Sequence, residues 1–157
     1  MKLKHYNSYL DKYIKYRDYN IYNEIIFYFI IGIISFIYDV YTGKNKLYDK
    51  CKEPSYTLTL LFIHHLYASF IYFGWLSNHK NILILHIFSI IFVIFLQINN
   101  EMRCPSTDIV NDNCNIKRDS YLRDFLYFFN IKKGNTYYIY VFFSFIISFI
   151  KIFNLKK

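Results

Sequence analysis

The sequence holds almost nothing that breaks a helix: two proline and four glycine residues in a chain of 157. So little of either excludes a fold built on many tight turns and favours long uninterrupted helices. Acidic residues are also scarce, 11 against 19 Lys and Arg, for a net charge of +8. Charge of either sign is missing from residues 25–38, 56–77 and 81–98. Uncharged apolar runs of that length exclude an ordinary soluble core. Residues 1–24 are basic but lack a continuous apolar segment and a small-residue cleavage site, so no cleaved signal peptide is expected. No Gly-rich phosphate loop, Cys-x-x-Cys pair, Ser/His/Asp set or paired-carboxylate motif is visible. The usual sequence signatures of nucleotide binding, dithiol exchange and hydrolysis are therefore lacking.

What is present is apolar and aromatic. Hydrophobic residues make up 55% and aromatics 23%, with 18 Tyr and 17 Phe. The basic residues fall between the apolar runs and at the ends, where Lys and Arg meet lipid headgroups. The bilayer is thus the expected partner, with self-association or another membrane protein next and no nucleic acid. The Lys and Arg of the two sides are almost evenly divided, so they set no orientation.

In chain order, residues 5–20 place Tyr6, Tyr9, Leu10, Tyr13 and Ile14 on one helical face, with Asp11, Lys12, Lys15 and Asp18 elsewhere. This suits an interfacial helix, or a basic tail. The first span is expected at about 21–41. Its fourteen uncharged residues between Glu24 and Asp39 cover only ~21 Å, so flanking turns complete the crossing and Asp39 sits near an interface. After a polar loop with Cys51 and Pro54 come spans at 56–77 and 81–98, joined so tightly by residues 78–80 that they form an antiparallel hairpin packed as one unit. Residues 99–135 form a long polar loop with a second amphipathic stretch, in which Leu122, Phe125, Leu126 and Phe129 oppose Asp119, Ser120, Arg123 and Asp124. The last span is expected at 136–153 if Lys151 snorkels. The expected fold is all-α: one integral membrane helical bundle over 1–157, with four transmembrane helices and interfacial amphipathic helices.

The candidate residues are His64, His65 and His86 in the hairpin and Cys104, Pro105, Thr107, Asn111 and Cys114 in the loop. By helical rise, His64 and His86 are offset by ~12 Å in depth, so one haem iron does not bridge them. Adjacent His64 and His65 point about 100° apart. Hydrogen bonding between helices by neutral imidazole is the expectation. Cys104 and Cys114, nine residues apart, suit a loop-closing disulfide, two thiols or a redox pair. Three cysteines without paired spacing make no zinc site, and no metal or cofactor is expected. Thr107 or Asp108 would cap a short helix over 109–111, with Pro105 fixing its approach.

The run Cys104-Pro105-x-Thr107-x-x-x-Asn111 follows a hairpin with His64 or His65 in one span, Gly74 near its end, and Leu85-His86 in the next. An aromatic stretch follows at 121–129. This pattern resembles a family of small uncharacterised, mostly bacterial integral membrane proteins. Their signature is a histidine in one helix, Leu-His in the next, and Cys-Pro-Leu-Thr-x-x-Glu-Asn before a final helix. The resemblance covers about residues 58–150. Ser106 stands where that family has Leu and Val110 where it has Glu, and Cys114 has no counterpart. The missing Glu removes a carboxylate that would pair with a buried histidine. The resemblance implies a fold and topology but no reaction. Two roles follow as expectations: a non-enzymatic structural or interaction protein, or a thiol-redox protein using Cys104 and Cys114 with quinone or haem.

Overall fold

The computed structural model describes residues 2–42, 51–116 and 135–155, with side chains at 21–41, 51–116 and 136–155. Among them there are five α-helices and no strand: α1 (Lys2–Thr42), α2 (Pro54–Phe73), α3 (Lys80–Ile98), α4 (Pro105–Asn113) and α5 (Asn135–Asn154). A 3-10 turn at Gly74–Leu76 extends α2. The segments Ile21–Tyr41, Pro54–Leu76, Lys80–Ile98 and Thr136–Asn154 are long and apolar enough to cross a membrane. The fold is an all-α helical bundle, as the apolar runs predict. Residues 5–20, expected as an interfacial helix or a basic tail, lie within α1, which runs from Lys2 without a break. The second amphipathic stretch, 119–129, lies outside the described residues.

α1 and α2 pack antiparallel along their length. Ser69 Oγ on α2 donates to the Tyr28 carbonyl of α1 at 2.8 Å. Gly32 lies against Leu66, where an added Cβ would stand 2.9 Å from the Leu66 Cα and 2.7 Å from its Cδ2. Only a residue without a side chain admits such an approach, which is how small residues let helices pack where apolar burial gives no drive. α3 pairs in the same antiparallel way with α5. Tyr137 lies opposite Gln97 at one end and Ser148 opposite His86 at the other.

The hairpin of α2 and α3 is therefore not packed as one unit. Each helix has its main partner elsewhere, α1 and α5 respectively. The two meet closely at the turn, where the His86 ring lies over Gly74 and edge-on to Phe70. Beyond the turn a cleft separates Ile63, Tyr67 and Ile71 of α2 from Phe92, Val93 and Leu96 of α3.

Polarity is arranged inside out. The buried residues include Ser35, Asp39, His65, Ser69, His86, Gln97, Ser144 and Ser148. Phe88, Phe92 and Phe95 of α3 and Phe142, Phe143 and Phe153 of α5 are exposed. Water would not tolerate so large an aromatic surface, whereas lipid requires one.

Each chain reversal has its own fastening. Pro54 opens α2, where its missing N–H costs nothing. At the turn, Glu24 of α1 accepts from Ser77 Oγ and from the Asn78 N–H. Ser77 Oγ in turn accepts from the His79 N–H, next to the start of α3. A carboxylate at that place suits the positive end of a helix. Lys151 does not simply reach outward: its Nζ donates to the carbonyls of Trp75 and Leu76, which close the 3-10 turn. After α3, Glu101 and Met102 adopt φ of 52° and 62°, and the Met102 N–H returns to the Gln97 carbonyl at 2.7 Å. That left-handed pair turns the chain into α4.

Gly32→Ala should cost about 1–3 kcal/mol by forcing α1 off α2. Ile34→Ala, at an exposed position of the same helix, should cost under about 0.5 kcal/mol. Unfolding of the detergent-solubilised chain by titrated denaturing detergent measures both; equal costs would contradict the close approach at Gly32.

Candidate functional site

The three span histidines serve three separate places. His65, fully buried on α2, faces α1. Its Nε2 lies 3.2 Å from Asp39 Oδ2 and its Nδ1 2.9 Å from Ser35 Oγ. A carboxylate only accepts, so Nε2 carries a proton towards Asp39, and in the neutral ring Nδ1 accepts from the Ser35 hydroxyl. Ser35 and Asp39 stand four residues apart, one helical turn, and so present one face to the imidazole. Asp39, near the end of the apolar segment Ile21–Tyr41, is thus buried against α2. It supplies the carboxylate that the sequence pattern lacked at position 110.

The order Ser35, His65, Asp39 is that of a hydrolase relay. Here, however, all three are buried, and Ser35 does not line the cleft between α2 and α3. A nucleophile without access performs no acyl transfer, so the arrangement acts as a staple between helices. It was invisible in the sequence because its members lie 26 and 30 residues apart on two helices.

His86 is the second centre. Its Nε2 faces the Ile71 carbonyl at 2.9 Å and must donate to it. That leaves Nδ1, in the neutral ring, to accept from Ser148 Oγ at 2.8 Å. One ring therefore ties α3 to both α2 and α5. Gly74 is required beneath it, since an added Cβ would overlap the imidazole.

The third centre surrounds α4. Cys51 and Cys114 form a disulfide, while Cys104 retains its thiol. Of the alternatives open for Cys104 and Cys114, a disulfide between them and a pair of thiols are both corrected, since Cys114 is bonded to Cys51. The reason is geometric: α4 lies between them and holds their Cα atoms ~15 Å apart by helical rise, against the ~4–7 Å a disulfide spans. The same spacing removes a direct dithiol exchange between them.

α4 lies antiparallel along the first half of α2. At its C-terminal end Cys114 Sγ is 3.8 Å from Thr57 Oγ1, and Asn113 donates to the Glu53 carbonyl at 3.1 Å. In the middle Val110 joins Leu61 and the disulfide in a small buried cluster. At its N-terminal end Cys104 Sγ stands 3.7 Å from His64 Nδ1. The loop thus turns inward far enough to reach the span histidine. Cys104 is also the N-cap of α4 and Pro105 its first residue. The Cys104 carbonyl accepts from the amides of Thr107 and Asp108. The helix consequently starts earlier than a Thr107 or Asp108 cap would place it. Thr107 and Asn111 are buried one turn apart on the face towards the bundle. Asp108 is not merely solvated: it accepts from Asn100 at 2.8 Å.

His64, Cys104, Pro105 and Ser106 line the cleft together with Gln97 and Tyr137. The cleft encloses about 330 Å³, at the lower end of the range for small-molecule sites. The structure thus unites His64, Cys104 and Pro105 and places Thr107, Asn111 and Cys114 along the same helix. It keeps His65 and His86 apart from them. Sequence reasoning missed Ser35, Ser148, Glu24 and the role of Cys51; the only hint was that the first three lie on helical stripes with other small or polar residues, whereas Cys51 precedes α2.

No protein-family model, curated protein or solved structure matches the chain.

His65→Phe should destabilise the chain by about 3–5 kcal/mol, because it strands the Asp39 carboxylate in the interior. Adding Asp39→Leu should recover most of that loss, a coupling that a double-mutant cycle reads directly. Peptide mapping without reductant should find Cys51 linked to Cys114, and Cys51→Ser should cost about 2–4 kcal/mol.

Proposed function

We propose that the protein crosses a bilayer four times and acts there as a non-enzymatic structural or interaction protein. The observation that carries this reading is how the buried imidazoles are used. His65 and His86 each engage both ring nitrogens with neighbouring helices. A ring so engaged is poorly placed to ligate haem or shuttle protons, but well placed to hold helices in register. Four helices of sufficient length and apolarity, with aromatic outer faces, support the membrane setting. The redox alternative has less support, since Cys104 and Cys114 stand at opposite ends of α4 and Cys114 is bonded to Cys51. Kinship with the small membrane-protein family that the Cys-Pro-x-Thr run resembles belongs to the same proposal. The contact of Cys104 with His64 supports it, because it joins the loop motif to the hairpin histidine.

Four crossings place both termini on one side of the membrane. Tags at the two ends should therefore be either both cleaved or both protected in sealed vesicles, and the chain should stay with the membrane after an alkaline carbonate wash. Opposite accessibility of the two tags would overturn the topology. A Soret band in the purified protein, or quinone reduction lost in Cys104→Ser, would overturn the non-enzymatic role.

A further inference from the structure

Gln97 is 4% exposed, and its side-chain oxygen has no hydrogen-bond partner among the described residues. Its Nε2 reaches the Tyr137 hydroxyl only at 3.5 Å. Leaving a buried amide oxygen unmet is unfavourable, so such atoms are normally satisfied by something. Gln97 lines the cleft between α2 and α3. Its Oε1 has almost no open surface of its own, so it meets a donor in the cleft by a rotation of the side-chain amide.

The rest of the wall limits what that donor belongs to. Among the described residues, no Lys, Arg, Asp or Glu lines the cleft. A carboxylate, phosphate or ammonium ion would enter without a countercharge, which burial penalises heavily. The body of the cleft is apolar and aromatic, with Tyr67, Tyr72, Phe92 and Tyr137 around it. Aromatic walls favour a flat ring, met edge-on or offset. Three further polar residues of the lining, His64, Cys104 and Ser106, each carry a hydrogen to donate. A hydroxyl suits both demands, because it donates to one neighbour while accepting from another.

We propose that this cleft binds a neutral, membrane-soluble phenol or hydroquinone. The ring lies among the four aromatics, and the hydroxyl donates to Gln97 Oε1 in the cleft that His64 and Cys104 also line. The binding is reversible and requires no covalent or redox step. It goes beyond the structural role proposed above and is read independently of topology.

The only thiol that the disulfide leaves in the chain, Cys104, reports occupancy. The full-length protein in detergent micelles would be alkylated with a maleimide in the presence of 4-nonylphenol, its methyl ether 4-nonylanisole, or 4-nonylbenzoate. The phenol is expected to slow alkylation at least five-fold at saturation. Half-protection by the ether should need about ten-fold more ligand, the usual effect of losing one hydrogen bond to a buried group. The benzoate should protect no better than the ether. In Gln97→Leu the phenol should lose its advantage while the ether still protects, which shows that the cleft persists. Retention of the Cys51–Cys114 disulfide and a single elution peak certify that the variant is folded. Equal protection by phenol and ether in the unaltered protein would overturn the proposal. So would a phenol preference that survives Gln97→Leu, strongest protection by the benzoate, or no protection in folded protein.

Discussion

The bundle depends on imidazole held between helices. In lipid, apolar side chains gain little by leaving the hydrocarbon for one another, so helices associate through close packing and through polar groups that find partners inside. His65 supplies this between α1 and α2, and His86 between α3, α2 and α5. Each ring has one nitrogen that donates and one that accepts, so a single residue satisfies two helices at once. Buried serines at 35 and 148 complete these pairs, and the Phe-rich faces are left outside. The polarity of interior and surface is thus the reverse of a water-soluble domain, which fits four helices long and apolar enough to cross a membrane.

The two imidazole centres also shape what lies between them. Because α2 is drawn to α1 and α3 to α5, the hairpin that joins α2 to α3 packs closely only towards its turn, as far as the hydrogen bond from the Tyr67 hydroxyl to the Ser89 carbonyl. The divergence above the turn creates the cleft, and α4 fills its mouth. α4 is too short to hold its position by its own helical stability. Its place is secured at one end by the Cys51–Cys114 disulfide and at the other by the Cys104–His64 contact. The disulfide is therefore an element of the cap, and the remaining thiol an element of the cleft. That division of labour among three cysteines separates this architecture from a dithiol enzyme, in which two thiols must meet.

Charge at the ends of α1 follows the same logic. Glu24 and Asp39 bracket an uncharged stretch and both turn towards α2. One gathers the amides of the reversal before α3, the other meets the buried ring of His65. Neither position looks functional in a linear reading, since carboxylates at the edges of an apolar run are ordinary. Their value comes from antiparallel pairing, which brings the turn to Glu24 and the middle of α2 to Asp39.

The chain itself determined the helices: long apolar runs almost without Pro or Gly admit little else, and their missing charges mark four segments of crossing length. It also made the loop motif from Cys104 and the histidines at 64 and 65 stand out from their apolar surroundings, but only the structure brings His64 to Cys104. Which helix pairs with which was decided only in three dimensions. A tight turn signals adjacency, yet Gly32 against Leu66 and His86 against Ser148 settled the partners, and contact of that kind has no periodicity to read. The cysteine pairing was decided in the same way: nine intervening residues permit a bond between Cys104 and Cys114 in a flexible loop, and forbid it once those residues wind into a rigid helix.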